Sequence, residues 1–182
     1  VTGESGVGKE SIPKIIHALS HRKHAKYIAV NCGAIPEGTI DSELFGHEKG
    51  AFTGATTDRG GMLMAADKGV LFLDEIGELG LDEQAMILRA IEEKVFFPVG
   101  SDTESTSDFQ LIAGTNRDLA QDVTQGRFRE DLFARLNLWT FKLPGLKDRR
   151  EDIEPNLDYE LKRHSEDFGE NITFNKEARA LF

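Results

Sequence analysis

A glycine-rich segment near the start of the chain has the residue types and spacing of a phosphate-binding loop. It matches the pattern G-x-x-x-x-G-K and comprises Gly3, Glu4, Ser5, Gly6, Val7, Gly8, Lys9 and Glu10. Glycines let backbone N–H groups turn toward phosphate oxygens, and Lys9 supplies positive charge for the β and γ phosphates. Glu10 stands where Ser or Thr would offer a hydroxyl to magnesium. A glycine-rich turn without a chemical role is the alternative that this pattern leaves open.

Two carboxylates follow an apolar run that is typical of a buried parallel strand. The run covers residues 70–73, and Asp74 and Glu75 come directly after it. The carboxyl ends of strands in α/β folds border the crevice where ligands bind. Asp74 is therefore predicted to hold Mg²⁺, and Glu75 is predicted to orient and polarise an attacking water. A solvated acidic turn is the alternative, and a phosphate loop upstream argues against it.

Between these two motifs lies a segment that nucleotide hydrolysis alone does not require. It is the hexapeptide Gly50, Ala51, Phe52, Thr53, Gly54 and Ala55. Small residues and glycines form helices and strands poorly, so this segment is predicted to be a mobile loop tip. Burying a phenylalanine is worth about 1.5 to 3 kcal/mol. An exposed Phe52 therefore makes physical sense if a partner buries it, and the alternative is that Phe52 folds back onto its own core.

Composition and charge restrict the classes of function. A chain of 182 residues with 39% apolar content is long enough for one domain with a sizeable core, and part of a second. Its net charge of −10 argues against nucleic-acid binding, so DNA contact is expected only through a domain outside this chain. The single Cys32 excludes an internal disulfide. No apolar run of about 18 residues or signal peptide occurs, which favours a cytoplasmic protein without membrane contact.

Strand and helix signals alternate along the chain and predict an α/β fold with a mainly parallel sheet. The predicted strands are 1–2, 27–30, 70–74, 95–99, 109–113 and 139–143, with a polar turn at 100–107. The predicted helices are 9–19, 81–93, 152–164 and 175–182, with another that begins at 40, is interrupted by the hexapeptide and resumes at 61–66. The apolar face of the helix 81–93 is assigned to residues 81, 85, 88 and 91. Pro13 is expected to kink the first helix or to delay its start.

The motifs, in this order, resemble the AAA+ ATPase module of bacterial sigma-54 activators, also called enhancer-binding proteins. The resemblance covers nearly all 182 residues and includes segments 31–32, 42–48, 71–79, 114–117 and 128–137. The sequence GAFTGA between these flanks is highly specific. Glutamate at the position of Glu10 is usual in that family, so this departure from the general phosphate-loop pattern supports the resemblance.

The resemblance implies a P-loop NTPase fold with a five-stranded, mainly parallel sheet flanked by helices. Residues 1–150 would form the nucleotide-binding α/β subdomain with a truncated first strand, and residues 151–182 would begin an α-helical lid. Adenine contacts and a second sensor arginine would lie outside the chain. The chain alone is therefore expected to bind nucleotide weakly and to hydrolyse it slowly.

The resemblance also implies ATP hydrolysis with Mg²⁺ at the subunit boundaries of a homo-oligomeric ring, with a hexamer as the expected size. Lys9, Asp74 and Glu75 would act together on the phosphates. Asn31 corresponds to the family residue that hydrogen-bonds the catalytic glutamate and relays nucleotide state. Asn116, with Thr115, corresponds to the sensor position, and Arg129 and Arg135 correspond to arginine fingers donated in trans. Surface salt bridges to Glu130 and Asp131 are the alternative for the two arginines.

By the same resemblance, Phe52 and Thr53 would engage sigma-54 while the γ-phosphate is present. Hydrolysis would then remodel the closed complex of the RNA polymerase holoenzyme. A second loop, near residues 100–107, would lie beside the first. Segments 138–141, 143–146 and 151–159 are similar to those of family members that activate RNA repair genes.

Two other classes of protein compete with this interpretation. A P-loop kinase could share the phosphate loop, but it would need an acceptor site and would have no use for paired trans arginines. A nucleotide-binding scaffold without turnover would not require Glu75, Arg129 and Arg135. An AAA+ ATPase that acts on another protein substrate remains a further alternative.

Overall fold

The computed structural model describes residues 1–4, 6–170 and 172–179, together with all their side chains except that of Lys176. Ser5 of the phosphate loop and residues 180–182 of the last predicted helix lie outside the described residues. The chain divides into two compact units, Val1–Lys142 and Leu143–Phe182.

The elements follow one another in α/β alternation. The strands are β1 (Tyr27–Asn31), β2 (Gly46–His47), β3 (Arg59–Gly60), β4 (Val70–Asp74), β5 (Val95–Phe96), β6 (Ser105–Thr106) and β7 (Gln110–Ala113). The helices are α1 (Ser11–Leu19), α2 (Ile40–Phe45), α3 (Met62–Ala65), α4 (Leu81–Glu93), α5 (Leu119–Thr124), α6 (Glu130–Leu136), α7 (Ile153–Phe168) and α8 (Lys176–Arg179).

A parallel sheet in the order β1-β4-β7 organises the first unit. Thr2 extends it through parallel bridges to Thr115 on one side and to Lys142 on the other. The Thr2 amide donates to the Phe141 carbonyl at 2.8 Å, which fixes this edge. The described residues thus form three complete strands and two bridged segments. The predicted strands at 1–2 and 139–143 are reduced to single bridged residues, and the predicted parallel α/β architecture is confirmed.

The central strand β4 is buried on both faces, as parallel strands usually are. Residues 70–73 are each at most 2% exposed. Leu63 of α3, Ile87 of α4 and Leu132 of α6 are fully buried members of the same core cluster. This packing holds the carboxyl end of β4, and the acidic pair that follows it, on a rigid support.

Two helices can be compared closely with the sequence prediction. Helix α1 begins at Ser11, two residues later than residue 9, so the expected delayed start is confirmed and Pro13 lies in the first turn, where its missing N–H costs nothing. Helix α4 has the predicted bounds, but its fully buried residues are Gln84, Ile87 and Ala90. The predicted face was wrong at its start, since Leu81 is 47% exposed. A polar glutamine occupies a core position because its amide is fully hydrogen-bonded.

The two predicted helical segments on either side of the hexapeptide are confirmed as α2 and α3, but the hairpin between them was not predicted. Helix α2 ends at Phe45, and β2 and β3 then pair in antiparallel fashion at the base of the loop. Gly46 has φ +82°, and a Cβ there would contact the backbone of Arg59 and Gly61. The hairpin forms because glycine permits both this backbone conformation and this close approach.

The region after α4 also differs from its prediction. Strand β5 pairs in antiparallel fashion with β6, which lies inside the segment predicted as a polar turn. The predicted strand 95–99 is therefore shorter, and the chain turns back earlier. Strand β7 then enters the parallel sheet beside β4, as expected for the segment 109–113.

The second unit contains α7 and α8. Helix α7 extends beyond the predicted end at residue 164 and stops at Gly169, which has φ +70°. The Arg179 guanidinium donates to Asp158 at 2.6 Å and so joins the two helices. Among the helices of the described residues, none has the length and apolarity needed to span a membrane.

Candidate functional site

The phosphate loop connects Thr2 to α1 and has an open glycine-rich surface. Gly6 and Gly8 have φ +81° and +87°, and a Cβ at either would meet nothing within 4 Å. Lys9 is only 7% exposed, and its Nζ donates to the carbonyls of Gly3 and Glu4 at 2.9 Å. Among the described residues, no side chain caps the N-terminus of α1. Open backbone, a cation and an uncapped helix start are the features that an ATP triphosphate requires.

Asp74 lies at the carboxyl end of β4, directly beside Asn31 at the end of β1. Its Oδ1 accepts a hydrogen bond from the Glu75 amide at 3.0 Å. A Cβ at Gly114 would contact the same oxygen, so the end of β7 can approach Asp74 only because residue 114 is glycine. Carboxylate oxygen is the ligand that Mg²⁺ prefers, so this strand end fits a magnesium ion.

Glu75 has a left-handed backbone conformation, with φ +53°. This is uncommon for a residue other than glycine and is found preferentially at functional sites. Its carboxylate lies over Gly33. If residue 33 had a Cβ atom, that atom would clash with Glu75 Oε2 and would lie 3.4 Å from Asn31 Oδ1. The Asn31 oxygen accepts from the Ala34 amide at 3.2 Å. Within the described residues no hydrogen bond joins Asn31 to Glu75, although the two side chains share one small space.

The acidic residues at this strand end create a strongly negative local field. Burial raises the pKa of the Cys32 thiol to about 12, and the nearby carboxylates of Asp74, Glu75 and Glu78 reinforce the shift. A thiol with this pKa stays neutral and unreactive at neutral pH. The same field favours a cation at the carboxyl end of β4.

The segment after β7 contacts the phosphate loop. Thr115 is 3% exposed, and its carbonyl accepts from the Gly3 amide at 3.2 Å. Its Oγ1 accepts from the Arg117 amide at 3.0 Å, which shapes the turn that presents Asn116 at the surface. The structure thus brings the predicted sensor segment to the same sheet edge as the phosphate loop and the acidic pair.

A buried carboxylate joins this segment to the chain that leads into α6. Asp122 is 3% exposed, and its carboxylate pairs with two arginines. Its Oδ2 lies 2.8 Å from Arg117 Nε, and its Oδ1 lies 2.5 Å from Arg127 Nη2. Arg117 also donates to the Gly77 carbonyl at 2.7 Å, in the turn after the acidic pair. Burial alone would raise the pKa of Asp122, but the hydrogen bonds from Arg117 and Arg127 outweigh it and lower that pKa.

Asp122→Asn should reduce the free energy of unfolding by about 1.5 to 3 kcal/mol at neutral pH, because the buried carboxylate loses its charged hydrogen bonds to two partly exposed arginines. Since the folded pKa of Asp122 lies below the ordinary value of about 3.9, its contribution is present above that value and is lost as the pH falls further. Urea unfolding of the unaltered protein and of Asp122→Asn should therefore give free energies of unfolding whose difference becomes smaller in acid. Asp102→Asn, at an exposed turn, is the control. A difference that does not change with pH would contradict the ionic account.

The two predicted arginine fingers lie at opposite ends of α6. Arg129 is the N-cap residue, and its guanidinium binds Asp131 at 3.0 and 2.7 Å. Arg135 is exposed in the last turn, and no hydrogen bond or ion pair within the described part of the chain holds it. The salt-bridge alternative therefore applies to Arg129, whereas the Arg135 guanidinium makes no such pair with the described residues of its own subunit.

The hexapeptide forms a compact turn with Phe52 and Thr53 at its tip. Gly50 and Gly54 have φ +87° and +106°, and the Gly50 amide donates to the Ala55 carbonyl at 2.8 Å. Phe52 is 44% exposed and contacts the His47 ring edge-on at 5.0 Å. The phenylalanine is thus neither fully exposed nor folded into the core, and an aromatic and a hydroxyl side chain are presented together.

A second loop supports the first. The Glu48 amide donates to the Val99 carbonyl at 3.1 Å, and the Ser101 hydroxyl donates to Glu48 Oε1 at 2.5 Å. A Cβ at Gly100 would contact Ala51. The expected adjacency of the two loops is therefore confirmed.

Sequence reasoning missed two residues that organise this site. The sequence analysis assigned no role to Gln84 or to Asp122. The spacing of Asp122 between Arg117 and Arg127 is the one local signal that could have indicated an ionic cluster. Gln84 is harder to recognise, because two of its three backbone partners lie 43 and 45 residues away.

Comparison with known proteins identifies the family. Residues 1–142 match the family model described as the Sigma-54 interaction domain. The chain is similar to the transcriptional regulatory protein RtcR of Escherichia coli (strain K12), with 57% identity over 98% of this chain and 34% of that protein. It is also similar to the DNA-binding transcriptional regulator NtrC of Rhizobium meliloti (strain 1021), with 45% identity over 100% of this chain and 37% of that protein. The chain thus spans about a third of the length of these curated relatives.

Solved structures agree with this assignment. NtrX from Brucella abortus in complex with ADP has a TM-score of 0.89 and 33% identity, over 99% of this chain and 39% of that chain. The same protein in complex with ATP has a TM-score of 0.88 and 33% identity, over 99% of this chain and 41% of that chain. The motifs, the fold and these matches lead to one conclusion: the chain belongs to the sigma-54 interaction domain family, the AAA+ module of sigma-54-dependent transcriptional activators.

Proposed function

We propose that this chain is the ATP-hydrolysing module of an activator that remodels the closed complex of sigma-54 and the RNA polymerase holoenzyme. The observation that carries the proposal is the position of Glu75. Its carboxylate lies against Gly33, in the turn that follows β1, and the chain continues from there through α2 to the hairpin with Phe52 at its tip. One continuous segment therefore links the γ-phosphate side of the site to the loop that would contact sigma-54.

In this proposal, the phosphate loop and Lys9 bind the ATP triphosphate. Lys9 would exchange its bonds to the Gly3 and Glu4 carbonyls for bonds to the β and γ phosphates, at little cost because the amine is already placed beside the loop. Asp74 would hold Mg²⁺, which would supply positive charge to offset the negative charge of the phosphates during transfer.

Glu75 would hold the attacking water in line with the γ-phosphorus. A new bond forms from the water oxygen to phosphorus as the bond to the β–γ bridging oxygen breaks, and ADP leaves with that electron pair. Arg129 and Arg135 of the neighbouring subunit would stabilise the charge on the transferring group, which makes a homo-oligomeric ring part of the proposal. Asn116 lies at the neighbouring strand end, where it can report on the γ-phosphate.

Loss of the γ-phosphate would change what Glu75 contacts. The carboxylate shares its space with Asn31, whose oxygen now holds the Ala34 amide. A shift of Glu75 toward Asn31 would compete for that bond and move the turn that precedes α2. This relay is a proposal about coupling, and mutants that separate hydrolysis from remodelling would establish it.

We also propose that the promoters served belong to RNA repair genes, such as the operon of the RNA 3'-terminal phosphate cyclase. The support is the similarity of residues 138–141, 143–146 and 151–159 to activators of that group, together with 57% identity to RtcR. DNA contact would be made by a domain outside this chain, since its net charge is −10.

Thr53→Ala should abolish a complex between the full-length protein and sigma-54 that forms with ADP and aluminium fluoride, a mimic of the transition state. Thr53 is exposed at the loop tip, so its loss removes a contact without disturbing the fold. The measurement is a native gel with labelled sigma-54. Thr57→Ala, exposed on the same hairpin outside the hexapeptide, is the matched control and should retain the complex.

The other outcomes separate the parts of this proposal. No complex with the unaltered protein, despite rapid ATP turnover, would leave an AAA+ ATPase that acts on another protein. A complex that survives in both variants would show that sigma-54 binds elsewhere. A complex that forms without nucleotide would remove the link between hydrolysis and binding.

A further inference from the structure

A buried glutamine of α4 holds the backbone that leads into α6. Gln84 is 0% exposed. Its Nε2 donates to the carbonyls of Leu79 at 2.7 Å and Arg127 at 3.1 Å. Its Oε1 accepts from the Arg129 amide at 2.8 Å. One side-chain amide thus makes hydrogen bonds on both sides of Phe128.

The chemistry of these contacts calls for an amide. An uncharged amide offers donors and an acceptor on the same planar group, which no carboxylate or apolar side chain does. Leu79 and Arg127 present carbonyl oxygens to Gln84, whereas Arg129 presents an N–H group. A carboxylate of the same shape would keep the bond to the Arg129 amide and would repel both carbonyls.

These bonds act at the point where α6 begins. Arg129 is the N-cap residue of α6, with an extended backbone at φ −74° and ψ 132°, and its side chain makes no capping hydrogen bond within the described part of the chain. Phe128 and Leu132, which flank the junction, are 2% and 0% exposed. Gln84 therefore fixes the place and direction in which the chain enters α6, while the Arg129 guanidinium stays at the surface.

We propose that Gln84 is a positioning residue for the arginines of α6. Through these arginines it affects hydrolysis of the nucleotide bound by the neighbouring subunit, and not of the nucleotide bound by its own subunit. This inference rests on the proposed function, because it requires Arg129 and Arg135 to be donated in trans. A displacement of about 1 Å in a catalytic group can cost about a hundredfold in rate. Loss of the Gln84 bonds should therefore lower turnover without removing either arginine.

The first experiment is Gln84→Glu in the full-length protein, with Gln84→Met as a second variant of similar size. We expect kcat to fall about a hundredfold. The affinity for ATP should be unchanged, since Lys9 and the phosphate loop are untouched. Gln84→Glu should recover part of its turnover in mild acid, because a protonated carboxyl can donate to one carbonyl again, whereas Gln84→Met should not.

The second experiment mixes subunits to find where Gln84 acts. Lys9→Ala subunits would lack ATP but would carry intact arginines. Mixed with Gln84→Glu subunits, they should raise turnover well above that of either variant alone, because they supply well-placed arginines to intact nucleotide sites. Arg135→Ala mixed with Lys9→Ala is the positive control, and Gln84→Glu mixed with Arg135→Ala should gain nothing.

Each remaining result would overturn the inference or its foundation. Recovery only in the Arg135→Ala control would place the effect of Gln84 inside its own subunit and leave the proposed function intact. No recovery in either mixture with Lys9→Ala would remove donation in trans, and the proposed ring site with it. Loss of folding in both Gln84 variants would assign Gln84 to the fold alone.

Discussion

Arg135→Ala should lower ATP turnover of the full-length protein on the order of a thousandfold or more, the effect expected for an arginine that stabilises a transferring phosphoryl group in trans. Arg135 is exposed at the end of α6 and has no partner among the described residues of its own subunit. A guanidinium placed in this way contributes little to folding. The thermal unfolding temperature should therefore stay the same while phosphate release falls.

The control variant Arg163→Ala distinguishes the loss of an arginine finger from the loss of a positive charge at the surface. Arg163 is similarly exposed and pairs with Glu160 at 2.7 Å on the surface of α7. Such a pair is worth at most about 1 kcal/mol, so Arg163→Ala should retain turnover. Turnover of Arg135→Ala close to that of the control would remove the ring-site model. Unfolding of Arg135→Ala would instead assign this arginine a structural role.

Arg129 should respond differently, since its guanidinium already binds Asp131. This pairing raises the pKa of Arg129 through the hydrogen bond to Asp131, although both groups are at the surface. To reach a neighbouring nucleotide, Arg129 would first have to leave Asp131. The structure therefore distinguishes two arginines that the sequence pattern treated as equivalent.

The sequence predicted the parts of the site that depend on local pattern. The phosphate loop, the buried strand β4 and the acidic pair after it are contiguous motifs, and each was predicted at the residues where it occurs. Helix α4 also has its predicted bounds, because apolar residues at helical spacing extend over its full length. These features could be predicted since the interactions that define them lie within a few residues along the chain.

The features that were missed depend on contacts between distant segments. The hairpin β2–β3, which forms the interruption between α2 and α3, was not predicted, because Gly46 and Gly61 let two backbones approach closely and no local propensity reveals this. Gln84 enters the core because backbone groups of Leu79 and Arg127 satisfy its amide. Tertiary hydrogen bonds thus allow a polar side chain to be buried, which its polarity alone would not predict, and they do so beside the candidate site.

Glu75→Gln should leave ATP binding intact and reduce hydrolysis by about a hundredfold to ten-thousandfold, the range expected when a group that prepares the attacking water is removed. Glutamine keeps the shape of the side chain over Gly33 but loses the charge that polarises water. The phosphate loop and Lys9 are not altered. Equilibrium binding of labelled ATP, followed by single-turnover hydrolysis, would measure the two steps separately.

Glu78→Gln is the matched control, since its carboxylate lies 3.5 Å from Arg117 and outside the space between Asn31 and Gly33. It should hydrolyse ATP at nearly the normal rate. Loss of ATP binding in Glu75→Gln would show that the left-handed residue at position 75 is structural.

The same variant tests whether Glu75 senses the γ-phosphate. If it does, Glu75→Gln should form the sigma-54 complex with ATP alone, because the variant retains unhydrolysed ATP and no transition-state mimic is needed. A sigma-54 complex that still requires aluminium fluoride would mean that ATP binding alone does not move the loop, and that the transition-state arrangement of the phosphates carries the signal to Phe52.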